Sequence, residues 1–288
     1  MLSDLNHYYK LLNRTFMNTK NFEFLRDGLK YMGFGEKLNT DLETKIKEQP
    51  GEFQLALQGE FKRDGVTDKV DYKLDFKKSD QTDMYFFNRY QATLKGEDPS
   101  QDKSQTFYVT KNSGMTAKEA YNLLSGRSVN KDLTNKEGQP FNAWLQLDFK
   151  EKDKNDNFKV KQYHSGYGYD LEAVLNRYPI KELSSDDDRL KIIRSLEKGN
   201  VHQVTFLKEG KEDKMHIEAN PQFKTLNLYD VKMQKVFQGI ERKEVKEPEK
   251  GIEQEKSKDK KETKKQESDD ESEVGQQKQR TRKRGARV

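Results

Sequence analysis

The sequence predicts an α+β fold: antiparallel β-sheets with flanking helices, a smaller helix-plus-hairpin unit, and a disordered charged C-terminal tail. Three features carry that expectation. Between Phe141 and Phe149 the residues alternate, with Phe141, Ala143, Leu145, Leu147 and Phe149 apolar and Asn142, Gln146 and Asp148 polar, as in a strand with one buried face. Other stretches repeat apolar residues every three or four positions and stop at glycine or proline, as amphipathic helices do. Beyond Phe237 neither period survives, and Lys, Glu, Gln, Asp and Ser dominate. Such a segment buries too little surface to offset its ordering entropy.

Taken in order, Leu2, Leu5, Tyr9, Leu12 and Phe16 have helical spacing after a cap at Ser3. Met17 follows at once, so residues 1–16 are either a short extension ahead of the true start or a docking helix. Phe22, Leu25, Leu29 and Met32 form the apolar stripe of a helix that Gly33 stops. Thr40 with Glu43 fits a capping box, and Pro50 requires that helix to end by Gln49. Phe53, Leu55, Leu57 and Phe61 then share one face of a strand, Asp64-Gly65 makes a hairpin turn, and Val70, Tyr72, Leu74 and Phe76 face inward on the return strand. On that strand Asp71, Lys73, Asp75 and Lys77 face water with alternating sign. Tyr85–Leu94 is an aromatic-rich third strand, 96–105 a polar loop, and Phe107–Val109 a short fourth strand.

Thr116 and Glu119 make a second capping box, for a helix carrying Ala120, Tyr121, Leu123 and Leu124 and ending at Gly126. After a polar stretch comes the strand 141–149, which turns at 155–157 into Phe158–Tyr163. Asp170 caps a short helix with Leu171, Val174 and Leu175. Ser184 or Ser185 starts another, whose first turn holds Asp186, Asp187 and Asp188 against the positive end of the helix dipole. Its stripe is Leu190, Ile193 and Leu196, and Gly199 ends it. Val201–Leu207 and Met215–Ala219 form a hairpin, and Leu226 and Leu228 share a face of a last extended piece. The resulting organisation is an N-terminal extension (1–17), an α+β domain (18–178), a smaller α+β unit (179–237) and the tail (238–288).

The chain of 288 residues is 31% hydrophobic and 36% charged, with mean hydropathy -1.18. It has no cysteine, which excludes disulfides, thiolate nucleophiles and cysteine-ligated zinc or iron–sulfur sites. No run approaches the roughly 18 apolar residues of a membrane span, and the start lacks a basic segment followed by an apolar one. A cytoplasmic protein with no membrane contact is expected. Of the 55 basic and 50 acidic residues, 16 and 13 lie from Gly239 onward, leaving 39 and 37 in the body. The body is thus close to neutral.

No catalytic motif emerges, and no cofactor or metal is implied. His7, His164, His202 and His216 have no partner at metal-ligand spacing, although His202 and His216 could face each other across a hairpin. Tyr163-His-Ser-Gly-Tyr-Gly-Tyr169 contains a histidine and a serine, but no strand–serine–helix elbow surrounds them, and a packed aromatic turn is expected. Met32-Gly-Phe-Gly35 follows a helix rather than a strand, so it is read as a helix cap and not as a phosphate loop. Arg89, among the aromatics of 85–90, and Trp144, on the otherwise polar face of 141–149, are candidate contacts for nucleic-acid bases. Core packing is the alternative for the aromatics, with a helix covering Trp144. The most directed feature is the chain end. Lys278, Arg280, Arg282, Lys283, Arg284 and Arg287 lie in eleven residues without an acid, a pattern that binds phosphate backbones without reading sequence. An acidic knot at Asp269, Asp270, Glu271 and Glu273 precedes it.

Several phrases point to a family. They are Asn21-Phe-Glu-Phe-Leu-Arg-Asp-Gly-Leu-Lys-Tyr-Met-Gly-Phe-Gly35, 80–90, Ala120-Tyr-Asn-Leu-Leu-Ser-Gly-Arg127, 141–149 and 217–230. Over about 18–237 the chain resembles uncharacterised proteins of Bacteroidetes mobile and conjugative elements, built from domains of unknown function that also occur beside topoisomerases. The resemblance implies a genetic neighbourhood and no catalytic residue. The expectation is a non-catalytic accessory protein that associates with DNA non-specifically through its tail, and with DNA-processing proteins of the element. A protein–protein interaction module without nucleic-acid binding is the alternative, and an enzyme of unfamiliar type a third reading.

Overall fold

Helix α1 (Thr19–Tyr31) begins at Asn18, whose side chain accepts the Asn21 N–H, and buries Asn21, Leu25 and Leu29. The computed structural model describes residues 17–236, apart from 64, 111–113, 209 and the side chain of Arg63. The expected N-terminal helix and C-terminal tail lie outside the described residues. Helix α2 (Asn39–Glu48) follows and ends at Gln49, immediately before Pro50. The expected capping box at Thr40 is absent, because the helix starts two positions earlier, with Leu38 rather than Thr40 as N-cap. A turn from Gly35 brings Leu38 in as N-cap without a side-chain bond, and Thr40 lies inside the first turn.

A four-stranded antiparallel meander comes next: β1 (Glu52–Arg63), β2 (Val66–Lys78), β3 (Tyr85–Leu94) and β4 (Lys103–Tyr108). Its inner face buries Leu55, Val70, Tyr72, Leu74, Phe76, Tyr85, Tyr90, Ala92 and Phe107 against α1, α2 and α3 (Ala117–Leu124). Strand β4 starts within the expected polar loop, since Gln105 points inward and is buried. The phenols that reach through this core end on backbone carbonyls: Tyr72 on Ala117 at 2.8 Å, Tyr90 on Met115 at 2.7 Å and Tyr85 on Pro50 at 2.6 Å. Burial raises the pKa of all three, and each buried hydroxyl keeps the partner it would otherwise lose with water.

Helix α3 shows the expected capping box: Thr116 accepts from the Glu119 N–H while the Glu119 carboxylate accepts from the Thr116 N–H. A second sheet holds β5 (Val129–Thr134), β6 (Pro140–Lys152) and β7 (Phe158–His164), in the order β5-β6-β7. Strand β5 occupies the stretch read as polar, because only Val129 of it is fully buried. Helices α4 (Leu171–Leu175) and α5 (Asp186–Glu197) and a third sheet, β10-β9-β8, complete the order, with β8 (His202–Lys208), β9 (Lys211–Asn220) and β10 (Thr225–Tyr229). The architecture is α+β with antiparallel sheets.

Strand β6 is the wall between two cores. Ala143, Leu145 and Leu147 belong to the first cluster with the meander and α3. Trp144, on the opposite face, belongs to a second cluster with Tyr163, Tyr169, Val174, Ile192, Phe206 and Ile217. Two departures from the expected stripes follow from position. Phe149 is partly exposed near the end of the β6–β7 hairpin, edge-to-face with Phe158. On α5 the buried positions are Ile192 and Leu196, and Leu190 faces out.

Candidate nucleic-acid interface

The open face of the meander is the surface on which Arg89 sits. Strands β2 and β3 pair Asp75 with Arg89 and then Phe76 with Phe87, so Asn88 is one residue extra. A bulge of this kind bends the strand and re-aims its side chains. Here Tyr85 and Tyr90, an odd number of residues apart, both point inward, and Asn88 and Arg89 are both exposed. Arg89 Nε donates to Asp75 Oδ2 at 2.7 Å, and Gln54 Nε2 donates to Asp75 Oδ1 at 2.7 Å. Tyr108 lies directly opposite Arg89 in register, and the hydrogen bond and charge of Asp75, with a smaller contribution from Tyr108, raise the Arg89 pKa. One polar row, Gln54–Asp75–Arg89–Tyr108, thus crosses all four strands.

Around this row lies a hollow of about 570 Å³, lined by Glu52, Gln54, Asp75, Lys77, Arg89, Tyr108 and others. A neighbouring hollow of about 330 Å³ shares Lys77 and Asn88 with it and is bounded by Phe86. Tyr108 is 59% exposed and Phe86 47%. Acids and bases alternate along β2, so the face as a whole carries no broad positive field.

Trp144 is not on this surface and is not exposed. It is 6% accessible, buried in the second cluster, edge-on to the Tyr169 ring at 5.4 Å. The reason is the aromatic turn that follows β7. Its 3₁₀ turn (Ser165–Tyr167) and Asp170, which caps α4 by accepting the Ala173 N–H, fold the chain back over the outer face of β6. Tyr163 and Tyr167 pack at 4.9 Å within that turn. The two hairpin histidines do not face each other: His202 pairs with Ile217, and His216 with Gln203, which puts the two rings on opposite faces of the sheet. Burial lowers the His202 pKa. Among the described residues no group of three or more His, Asp or Glu is placed to hold a metal ion, and no helix is long and apolar enough to cross a membrane.

A third polar hollow, about 290 Å³, lies where α3, β5 and α5 meet. Its walls include Glu119, Lys131, Asp132, Arg194 and Glu197. Glu119 accepts from Lys131 at 3.1 Å as well as from Thr116. Burial, and next the Asp132 charge, raise the Glu197 pKa. Beside it Arg127 is 6% accessible and makes no salt bridge among the described residues. Its Nε donates to the Gly199 carbonyl at 3.0 Å and its Nη2 to Asn122 Oδ1 at 2.6 Å, and its guanidinium lies 4.8 Å from the Tyr121 ring centre. Asn122 Nδ2 in turn donates to the Lys198 carbonyl at 2.6 Å. The cation therefore sits at the C-terminal end of α5, where orphan carbonyls and the negative end of the helix dipole supply the compensation that a carboxylate would. The sequence gives no hint of this role.

Lys278, Arg280, Arg282, Lys283, Arg284 and Arg287 lie outside the described residues. No protein-family model matches the chain, and no curated protein or solved structure shows similarity to it.

Proposed function

We propose that this protein is an accessory of a DNA-handling mobile element and associates with duplex DNA through its basic C-terminal segment. The observation that carries this reading is the distribution of charge. The body has 39 basic and 37 acidic residues, whereas Lys278–Val288 has six basic residues and no acid. The resemblance to mobile-element proteins supplies the setting. Lysine and arginine gain affinity by releasing counterions condensed on the phosphate backbone, so the binding is independent of sequence. Six phosphate contacts give a log–log salt slope of about −5 on duplex DNA. The acidic knot at Asp269–Glu273 competes for the same arginines and reduces it. Fluorescence anisotropy of a labelled duplex against salt tests the reading. The variant with Arg280, Arg282, Lys283 and Arg284 changed to alanine is expected to lose binding and flatten the slope. Unchanged binding by that variant refutes the assignment.

One observation favours a protein-interaction module as second reading. Phe24 and Tyr31, seven residues apart and so on one side of α1, are 72% and 85% exposed. If that side holds a protein partner, Phe24→Ser with Tyr31→Ser removes cross-links to other proteins of the element and leaves duplex binding intact.

A further inference from the structure

We propose that the open face of the meander binds unpaired nucleic acid at the β3 bulge. One base stacks on Tyr108, the next stacks on Phe86, and Lys77 and Arg89 meet the phosphate between them. The inference goes beyond the tail reading and does not rest on it, because it concerns a different surface and a different form of nucleic acid.

The argument begins with what the two hollows share. Lys77 and Asn88 line both, Tyr108 borders one and Phe86 borders the other. Phe86 sits opposite Lys77 in register, and Arg89 sits opposite Tyr108. Two exposed rings therefore flank two cations on one continuous surface. The bulge produces this arrangement by placing Asn88 and Arg89 outward in succession, which a regular strand cannot do.

The lining also discriminates among occupants. Glu52 and Asp75 balance Lys77 and Arg89, so a bare anion gains little here. A nucleotide offers more: a π-face for each ring, a single phosphate for the cations, and a base edge with donors and acceptors. Gln54 and Asn88 present amides to that edge. The Glu52 and Asp75 carboxylates accept from exocyclic amino groups, such as that of cytosine, and repel the carbonyl edge of thymine. In a duplex the π-faces are hidden in the stack, so the rings select unpaired bases.

The test uses the full chain carrying the four tail alanines, Arg280→Ala, Arg282→Ala, Lys283→Ala and Arg284→Ala, so that the tail does not contribute. The probe is a labelled oligodeoxycytidylate of about eight nucleotides in about 0.3 M salt, where backbone attraction is suppressed. Binding is expected to persist in this background, and to weaken about tenfold or more with Tyr108→Leu and again with Phe86→Leu. Lys77→Gln is expected to lower the salt slope by roughly 0.7. The corresponding thymidylate and the duplex are expected to bind more weakly. Phe223→Leu, a control at an exposed ring just beyond β9, is expected to change nothing. Melting curves establish that each variant is folded. No binding in the tail-alanine background, equal binding by Tyr108→Leu and Phe86→Leu, or an equal loss with Phe223→Leu overturns the proposal. The tail reading stands or falls separately, on duplex binding by the tail variant alone.

Discussion

Gly199 joins the end of α5 to α3 and β5, and replacing it with alanine isolates how tightly they fit. The glycine has φ +74°, where an L-residue is disfavoured by roughly 1–2 kcal/mol. A Cβ added there lies 2.8 Å from the Ser128 carbonyl oxygen, 2.9 Å from Val129 Cγ2 and 3.1 Å from Asn122 Cβ. The first of these is backbone and has no rotamer through which to retreat. Overpacking of that kind costs about 1–3 kcal/mol. Arg127 and Asn122 donate to the Gly199 and Lys198 carbonyls beside it, so a shift of the helix end also loosens those bonds. Gly199→Ala is therefore expected to destabilise by about 2–5 kcal/mol. For a body of this size that lowers Tm by roughly 5–15 °C. Gly138→Ala is the control, since Gly138 has nearly the same φ, +79°, but nothing within 4 Å of an added Cβ. It is expected to cost only the backbone term, about 1–2 kcal/mol. Urea unfolding of the full chain followed by circular dichroism gives both values. If the two variants lose the same stability, the close approach at Gly199 has no energetic weight and the account of this junction is wrong.

Two further outcomes can be checked with the same assay. Leu145→Asp places an unpaired charge on the β6 face that packs in the first core, and is expected to abolish cooperative unfolding, because such burial costs more than a domain can spare; soluble protein with a normal melt refutes that burial. Glu197 has its folded pKa raised above 4.5 by burial and by Asp132, so the native state holds its proton more tightly than the unfolded chain, and the carboxylate destabilises the fold increasingly as pH rises through the folded pKa. Glu197→Gln is therefore expected to be more stable than the parent at neutral pH, with the gain vanishing below the unfolded carboxyl range; a gain of equal size at pH 3 and pH 7 contradicts it.

The elements that local chemistry determines were legible, and those that depend on remote partners were not. Three helices end as their glycines predict, and by the same device. The N–H after Gly33, Gly126 and Gly199 returns to the carbonyl five residues back, as Phe34 to Leu29, Arg127 to Asn122 and Asn200 to Ser195. That motif needs only a residue at positive φ, which the sequence displays openly. The Thr116 box is equally local. The Thr40 box has the same letters but fails, because buried Leu38 fixes the helix start from outside the motif. Alternation in 66–78 identified the inner face of β2 because one side of that strand meets water. In β6 the same rule predicted an exposed Trp144 and misled, since a strand buried on both faces in its middle need not mark its second buried face with more than one large residue. In 85–94 the spacing itself conflicts with a regular strand: Tyr85 and Tyr90 lie five apart, and no two-residue period puts both inside, so two buried tyrosines at that spacing require a bulge between them. Reading that conflict as geometry rather than noise points to Asn88 and Arg89, adjacent and both outward, which is where the candidate surface lies. The buried Arg127 left no such trace. Its compensation is a helix end more than seventy residues away, and a pattern of neighbours along the chain carries no record of a dipole supplied from there.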